Sequence, residues 1–164
     1  MSTFTSRDFR GLYQRFGKAY RIDPRLIEAV VRQESAGKPH AFRYEAAIRQ
    51  ASYGLMQVLG STARGMGLEP AMSEAVLCDP EVGVLYGVKV LADNLNRFAA
   101  SVQQDRQNGV YEVLAPPLPF PVMVALARYN GGYKGNPGPD GSIRNSKYVE
   151  GVAKHFTDVC RELT

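Results

Sequence analysis

Residues 22–37, IDPRLIEAVVRQESAG, carry their own start and stop signals. Asp23 is an N-cap residue, and Pro24 suits the first helical position, where its missing N–H leaves no bond unmade. Gly37, followed by Pro39, closes the helix. Between these ends Ile27, Val30 and Val31 stand at i, i+3 and i+4, and the next place on that apolar stripe, i+7, is Glu34. Glu28 does not share the stripe. A carboxylate leaving water for such a place has its charged form disfavoured, and the negative end of the helix dipole adds roughly 0.3–1 kcal/mol in the same direction. Both effects raise the pKa of Glu34. A carboxyl still protonated near neutrality can act as general acid in glycosidic bond cleavage. The competing reading is a last-turn Glu turned outward to solvent, and periodicity alone does not separate the two.

The chain on either side also reads as helical. In TSRDFRGLYQRFGKAY, Phe9, Leu12, Phe16 and Tyr20 repeat at helical spacing behind Thr5 or Ser6 as cap, with the stop at Gly17 or at the turn before Asp23. A long helix begins at Asp79-Pro80 and runs to about Ala99, with Val84, Val88, Leu91, Leu95 and Phe98 on one face. Residues 101–121, rich in polar residues and then in proline, read as a loop to which no role is assigned. Helix returns in FPVMVALARYN. After a stretch rich in glycine and proline comes a last helix with Val149, Val152, Phe156, Val159 and Leu163 on one face. Residues 42–58, less periodic, hold a small hairpin or an irregular loop. The expected fold is mainly α, in a single domain over residues 1–164.

Composition narrows the function. A chain of 164 residues, 45% hydrophobic and 22% charged, is long enough for one core. No window reaches the roughly 18 consecutive apolar residues of a membrane span, and MSTFTSRDFRG lacks the apolar core of a secretory signal. No stable membrane insertion is therefore expected. Cys78 and Cys160 lie without metal-ligand spacing and only two histidines are present, so no metal or cofactor is expected; the cysteines read as buried free thiols, with a disulfide as the alternative. The net charge of +4 suits an anionic partner, yet the basic residues form no block with interleaved aromatics, which argues against nucleic acid.

Two further motifs stand downstream. SYGLMQV places Gly54 and Leu55 before Met56 and Gln57; a glycine admits close approach of a ligand, and Gln57 offers a donor and an acceptor to sugar hydroxyl or acetamide groups. ARYNGG ends an apolar helix with Tyr129 and Asn130. Read singly, the first is also a core turn and the second a helix terminus.

Taken in order, Glu34-Ser35, Gly54 to Gln57, Tyr129-Asn130 and Tyr148-Val149 resemble the lytic transglycosylase family, relatives of goose-type lysozyme, over roughly residues 22–152. The resemblance implies a lysozyme-like helical domain, with long loops around a groove that binds peptidoglycan glycan strands. It also implies roles: Glu34 as the single catalytic acid and base, Ser35 supporting it, Met56 and Gln57 lining sugar subsites, Tyr129 and Asn130 contacting the reacting sugar, and Tyr148 closing the groove. Three features depart from the family's pattern. Arg128 precedes the Tyr-Asn pair, Gly60 stands near the usual proline, and RNSKYV lacks the usual Glu-Thr.

The chemistry implied is cleavage of the β-1,4 bond between N-acetylmuramic acid and N-acetylglucosamine without water, giving 1,6-anhydro ends. A hydrolytic lysozyme would need a second carboxylate about 6.5–9.5 Å away if it inverted; Glu45, Asp79 and Asp93 are the candidates. A non-catalytic wall-binding module is the remaining alternative. A monomer acting in the periplasm or at the wall is expected. Without a visible leader its route there would be that of a phage endolysin, a virion-associated enzyme or a secretion-apparatus enzyme.

Overall fold

The computed structural model describes residues 4–98 and 114–164. Helix α1 (Arg10–Tyr20) is entered through a 3-10 turn (Ser6–Phe9), where the Asp8 carboxylate accepts from the Thr5 N–H at 2.7 Å. It ends at Arg21, in the left-handed region, and not at Gly17. Gly17 is small for another reason: the Ile22 carbonyl and the Pro24 ring cross the helix there, and a β-carbon would sit 2.7 Å from that carbonyl oxygen.

Helix α2 (Pro24–Ser35) starts as its residues dictate, with the Asp23 carboxylate accepting from the Arg25 N–H at 2.9 Å. Its left-handed cap is Ala36, one residue before the expected Gly37, although Gly37 also has positive φ. Leu26, Ile27, Ala29, Val30 and Val31 are all fully buried, so this short helix is enclosed on most sides.

The segment after α2 forms an antiparallel sheet in the order β1 (Phe42–Glu45), β2 (Gln50–Tyr53), β3 (Val58–Leu59). Phe42 pairs with Tyr53, and Tyr53 with Val58. The motif of residues 54–57 is the hairpin turn between β2 and β3. Gly54 and Gln57 both have positive φ there, and the Gln57 N–H donates to the Gly54 carbonyl at 3.3 Å. What approaches Gly54 is the carbonyl of Leu77, leaving no room for a side chain or a ligand.

A short helix α3 (Gly60–Gly65) and a 3-10 turn (Glu74–Cys78) lead to α4 (Pro80–Phe98), capped by Asp79, which accepts from the N–H groups of Glu81 and Val82. Val84, Val88, Leu91 and Leu95 form the expected buried stripe. The expected last residue of this helix, Ala99, lies outside the described residues, as do residues 101–113 of the loop. The rest of that loop is tied down: Leu114 and Leu118 are buried, and Arg25 donates to the Leu114 carbonyl at 2.7 Å. Pro121 belongs to helix α5 (Phe120–Gly131) and not to the loop.

Helix α6 (Ser146–Glu162) buries Val149, Val152, Phe156 and Val159 against α2. Leu163, expected on that face, falls beyond the helix end and is 54% exposed. Cys78 and Cys160 are free thiols, as expected, but both are half-buried and not fully so.

One charged residue on α2 is buried more deeply than Glu34. Glu28, 2% exposed, accepts from Arg10 and from Arg32, each at 2.7 Å, and from the Ser6 hydroxyl at 3.1 Å. Arg10 and Arg32 also reach Glu162 at the far end of α6, each at 2.8 Å. Their guanidinium groups, with that of Arg7, hold the Glu162 carboxyl far below the usual carboxylate range. This network fastens the first turn, α1, α2 and α6 together on the side of α2 that the apolar stripe does not use.

Candidate active site

Glu34 lies in the last turn of α2, where the apolar stripe runs out at a small cleft partly open to solvent. Arg43 of β1, Gln57, Val58 and Leu59 of the sheet region, Thr62 of α3, Val90 of α4, and Tyr129 and Asn130 of α5 line it with Glu34. The carboxylate is accessible from the cleft but otherwise surrounded by protein. Burial is the largest influence on it and pushes its pKa up, to about 7; a hydrogen bond from Tyr148 and the charge of Arg43 pull the other way, and Glu45 pushes further up.

Tyr148, in the first turn of α6, donates its hydroxyl to Glu34 Oε1 at 2.7 Å. It touches the acid itself, where the resemblance implied only closure of the groove. Tyr129 donates to the Met56 carbonyl at 2.7 Å. Burial raises both phenols well above their ordinary pKa, so both remain donors. Ser35 sits beside the acid without facing the cleft: its hydroxyl lies 2.8 Å from the Leu55 carbonyl and 3.2 Å from that of Val31, and it accepts from the Gly37 N–H. It thereby joins the end of α2 to the β2–β3 turn.

The two residues expected to line sugar subsites behave differently from that expectation. Met56 is fully buried, its side chain packed where Gly87 of α4 leaves space and its carbonyl accepting from Tyr129, so it is not among the residues that line the cleft. Gln57 does line the cleft, yet its Nε2 donates to the Ala41 and Gly54 carbonyls, both at 3.0 Å, while Oε1 accepts from the Ser52 hydroxyl at 3.0 Å. Both its donors are committed internally, so what it has left to offer a sugar is acceptor capacity. Asn130 is exposed at the cleft wall.

Of the carboxylates considered as partners for Glu34, Asp79 is the α4 cap and Asp93 pairs with Arg97 at 3.0 Å on the same helix. Glu45 is different. It lies on β1, not in a loop, and accepts from Arg43 at 3.0 Å. Arg128, one of the departures from the family pattern, faces the ring of Phe98 at 5.2 Å, with Nε and Nη1 buried and without hydrogen-bond partners among the described residues. Arg43, Thr62 and Val90 were not singled out from the sequence. Alternation along β1 places Arg43 on one face with Glu45 and would have pointed to it; nothing local marks Thr62 or Val90.

A mainly α, lysozyme-like fold in which Glu34 is the one carboxyl among the described residues that line a cleft beside a small sheet is the class to which these features assign the chain. The chain belongs to the transglycosylase SLT domain family, whose model matches residues 11–137. It is similar to a transglycosylase of Enterobacteria phage PRD1, with 34% identity over 79 residues, 48% of this chain and 26% of that protein. In fold it resembles an inactive Glu-to-Gln mutant of the lytic transglycosylase Slt from Pseudomonas aeruginosa, with a TM-score of 0.63 and 20% identity over 94% of this chain and 24% of the other. The chain thus spans about a quarter of the length of each of these relatives.

Proposed function

We propose that the chain is a peptidoglycan lytic transglycosylase in which Glu34 serves first as acid and then as base. The observation that carries this reading is the Glu34 carboxyl itself, reachable from the cleft, with a pKa of about 7 and a hydrogen bond from Tyr148. At that pKa the group is protonated often enough to donate to the glycosidic oxygen and basic enough to take a proton back. Family membership and the named relatives support the reaction class.

In this reading Glu34 protonates the oxygen of the β-1,4 bond between N-acetylmuramic acid and N-acetylglucosamine. The acetamide of the muramic unit stabilises the developing positive charge. The ionised Glu34 then accepts the proton of that sugar's 6-hydroxyl as its oxygen attacks the anomeric carbon, giving a 1,6-anhydro end with no water consumed. Tyr148 donates to the carboxylate while it is ionised. Tyr129 and Asn130 flank the sugar from α5, Ser35 holds the turn, Gln57 offers Oε1 to the strand, and Met56 positions Tyr129 by accepting its hydroxyl. No cofactor takes part.

A hydrolytic, goose-type reaction is the second reading, and one observation favours it: Glu45 is near enough to push the Glu34 pKa up. Its ion pair with Arg43 weighs against Glu45 as a free base for water. Mass analysis of digested peptidoglycan separates the two, anhydro ends supporting the transglycosylase and reducing ends the hydrolase. Retained lysis by Glu34→Gln would contradict both and leave the wall-binding module.

The cluster of buried apolar residues that links α1, α2, α4, α5 and α6 supports a one-domain enzyme, which we propose acts as a monomer. Glycan strands at the cell wall are its proposed partner, in a phage setting supported by the PRD1 relative; nucleic acid and membrane insertion form no part of the reading.

A further inference from the structure

Arg43 takes no part in the proton transfers above, yet it lines the cleft with Glu34 and is the one cation among the described residues that do so. Side chains alternate along β1, so Arg43 and Glu45 share one face of the sheet with their cross-strand partners Ser52 and Gln50, while Phe42 and Tyr44 share the other. Its partner, Glu45, lies 3.0 Å away, with side chains 58% and 36% exposed. A pair so exposed is held weakly against water, so exchanging one carboxylate for another is nearly neutral. The guanidinium presents five donors in a planar fork, and the bond from Nη2 to Glu45 leaves others free for a second acceptor.

The charge balance of the cleft gives this arrangement a use. Glu34, once ionised, and Glu45 both repel an anionic strand, and the lining residues supply no other positive charge to offset them. The muramic units of the proposed substrate carry a lactyl carboxyl, free or extended by an acidic peptide.

Resting on the reading of the cleft as glycan-cleaving, we infer that Arg43 is a specificity-determining residue that takes a carboxylate of the glycan strand beside the bond Glu34 attacks, displacing Glu45. The cleft therefore prefers strands with anionic side groups to neutral ones, and the preference resides in binding and not in the chemical step.

The test uses soluble, uncrosslinked, peptide-bearing glycan strands, native or with their carboxyls converted to neutral methylamides. Arg43→Gln is expected to raise KM for native strands about tenfold, with kcat within about twofold at each enzyme's own pH optimum, because the Arg43 charge also acts on Glu34, and with a much smaller effect on KM for amidated strands. Glu45→Gln, which removes the competing carboxylate, is expected to lower KM for native strands. Equal effects of Arg43→Gln on both substrates, or a fall in kcat at constant KM, would overturn the inference. Equilibrium binding to the Glu34→Gln chain reads Arg43 without turnover: a preference for native strands that disappears on adding Arg43→Gln supports it, and no preference at all refutes it. Should the unmutated chain cleave neither substrate, the glycan-cleaving reading fails, while the binding arm still decides the role of Arg43.

Discussion

The hydroxyl of Tyr148 donates to Oε1 of Glu34 at 2.7 Å, joining the first turn of α6 to the last turn of α2 across 114 residues of sequence. Two opposed influences meet on that carboxyl. Burial favours its protonated form and is the larger; the phenol favours the ionised form. Removing the phenol leaves burial less opposed. Tyr148→Phe is therefore expected to move the alkaline limb of kcat/KM, which lies near pH 7 when Glu34 is the acid, upward by on the order of one pH unit. A pH–rate profile checks this, and a downward shift would contradict it.

The same carboxyl burdens the fold. Its pKa is near 7 when folded and 4.5 when unfolded, so between those values the native state holds more protons than the unfolded chain, and stability falls as pH rises. The loss begins near pH 4.5 and is complete above about 7. Glu34→Gln removes the titration, and is expected to stabilise the protein by on the order of 2 kcal/mol at pH 8 and by little near pH 4. Urea unfolding of both proteins at the two pH values measures the difference; an equal effect at each would show that the carboxyl is not held near neutrality.

Gln57 is tied by three hydrogen bonds to Ala41, Gly54 and Ser52. Gln57→Ala leaves those groups without their partner and is expected to cost about 1–3 kcal/mol of stability. A residue whose donors served only the sugar would show unchanged stability and a raised KM instead, so denaturation and kinetics together separate the two roles.

Glu28 is buried between Arg10 and Arg32. Glu28→Ala removes the buried carboxylate and leaves the Ser6 hydroxyl and both guanidinium groups with Glu162 as the one carboxylate of the network, and a loss of about 1–3 kcal/mol is expected. Because this network also holds Glu162 of α6, hydrogen exchange should show looser protection along α6.

Helix α2 was legible because its signals are local: Asp23, Pro24 and the Ile27-Val30-Val31 spacing act within the segment, and the same holds for the stripe on α4. The continuation of the α2 stripe by Glu34 was also legible, and the fold puts that position on the cleft. What escaped depends on partners distant in sequence. The alternation of β1 stands in the sequence, but Phe42 and Tyr44 are both exposed, so it marks no buried face, and the pairing that makes it a strand comes from residues 50–53. Gly54 serves the Leu77 carbonyl, and Met56 fills the space that Gly87 of α4 leaves, neither of which any spacing within residues 52–58 records. Nothing within α2 marks the burial of Glu28, because the arginines that enclose it come partly from α1 and because Glu162 lies on α6. Leu163 keeps the helical period but falls one residue beyond the end of α6.

The account turns on Glu34 working as acid and base without water. Mass spectrometry of the fragments released from purified peptidoglycan by the unmutated chain and by Glu34→Gln tests that most directly. The account predicts 1,6-anhydromuramic ends from the first and no release from the second. Reducing ends from the unmutated chain, or fragments of either kind from Glu34→Gln, would contradict it.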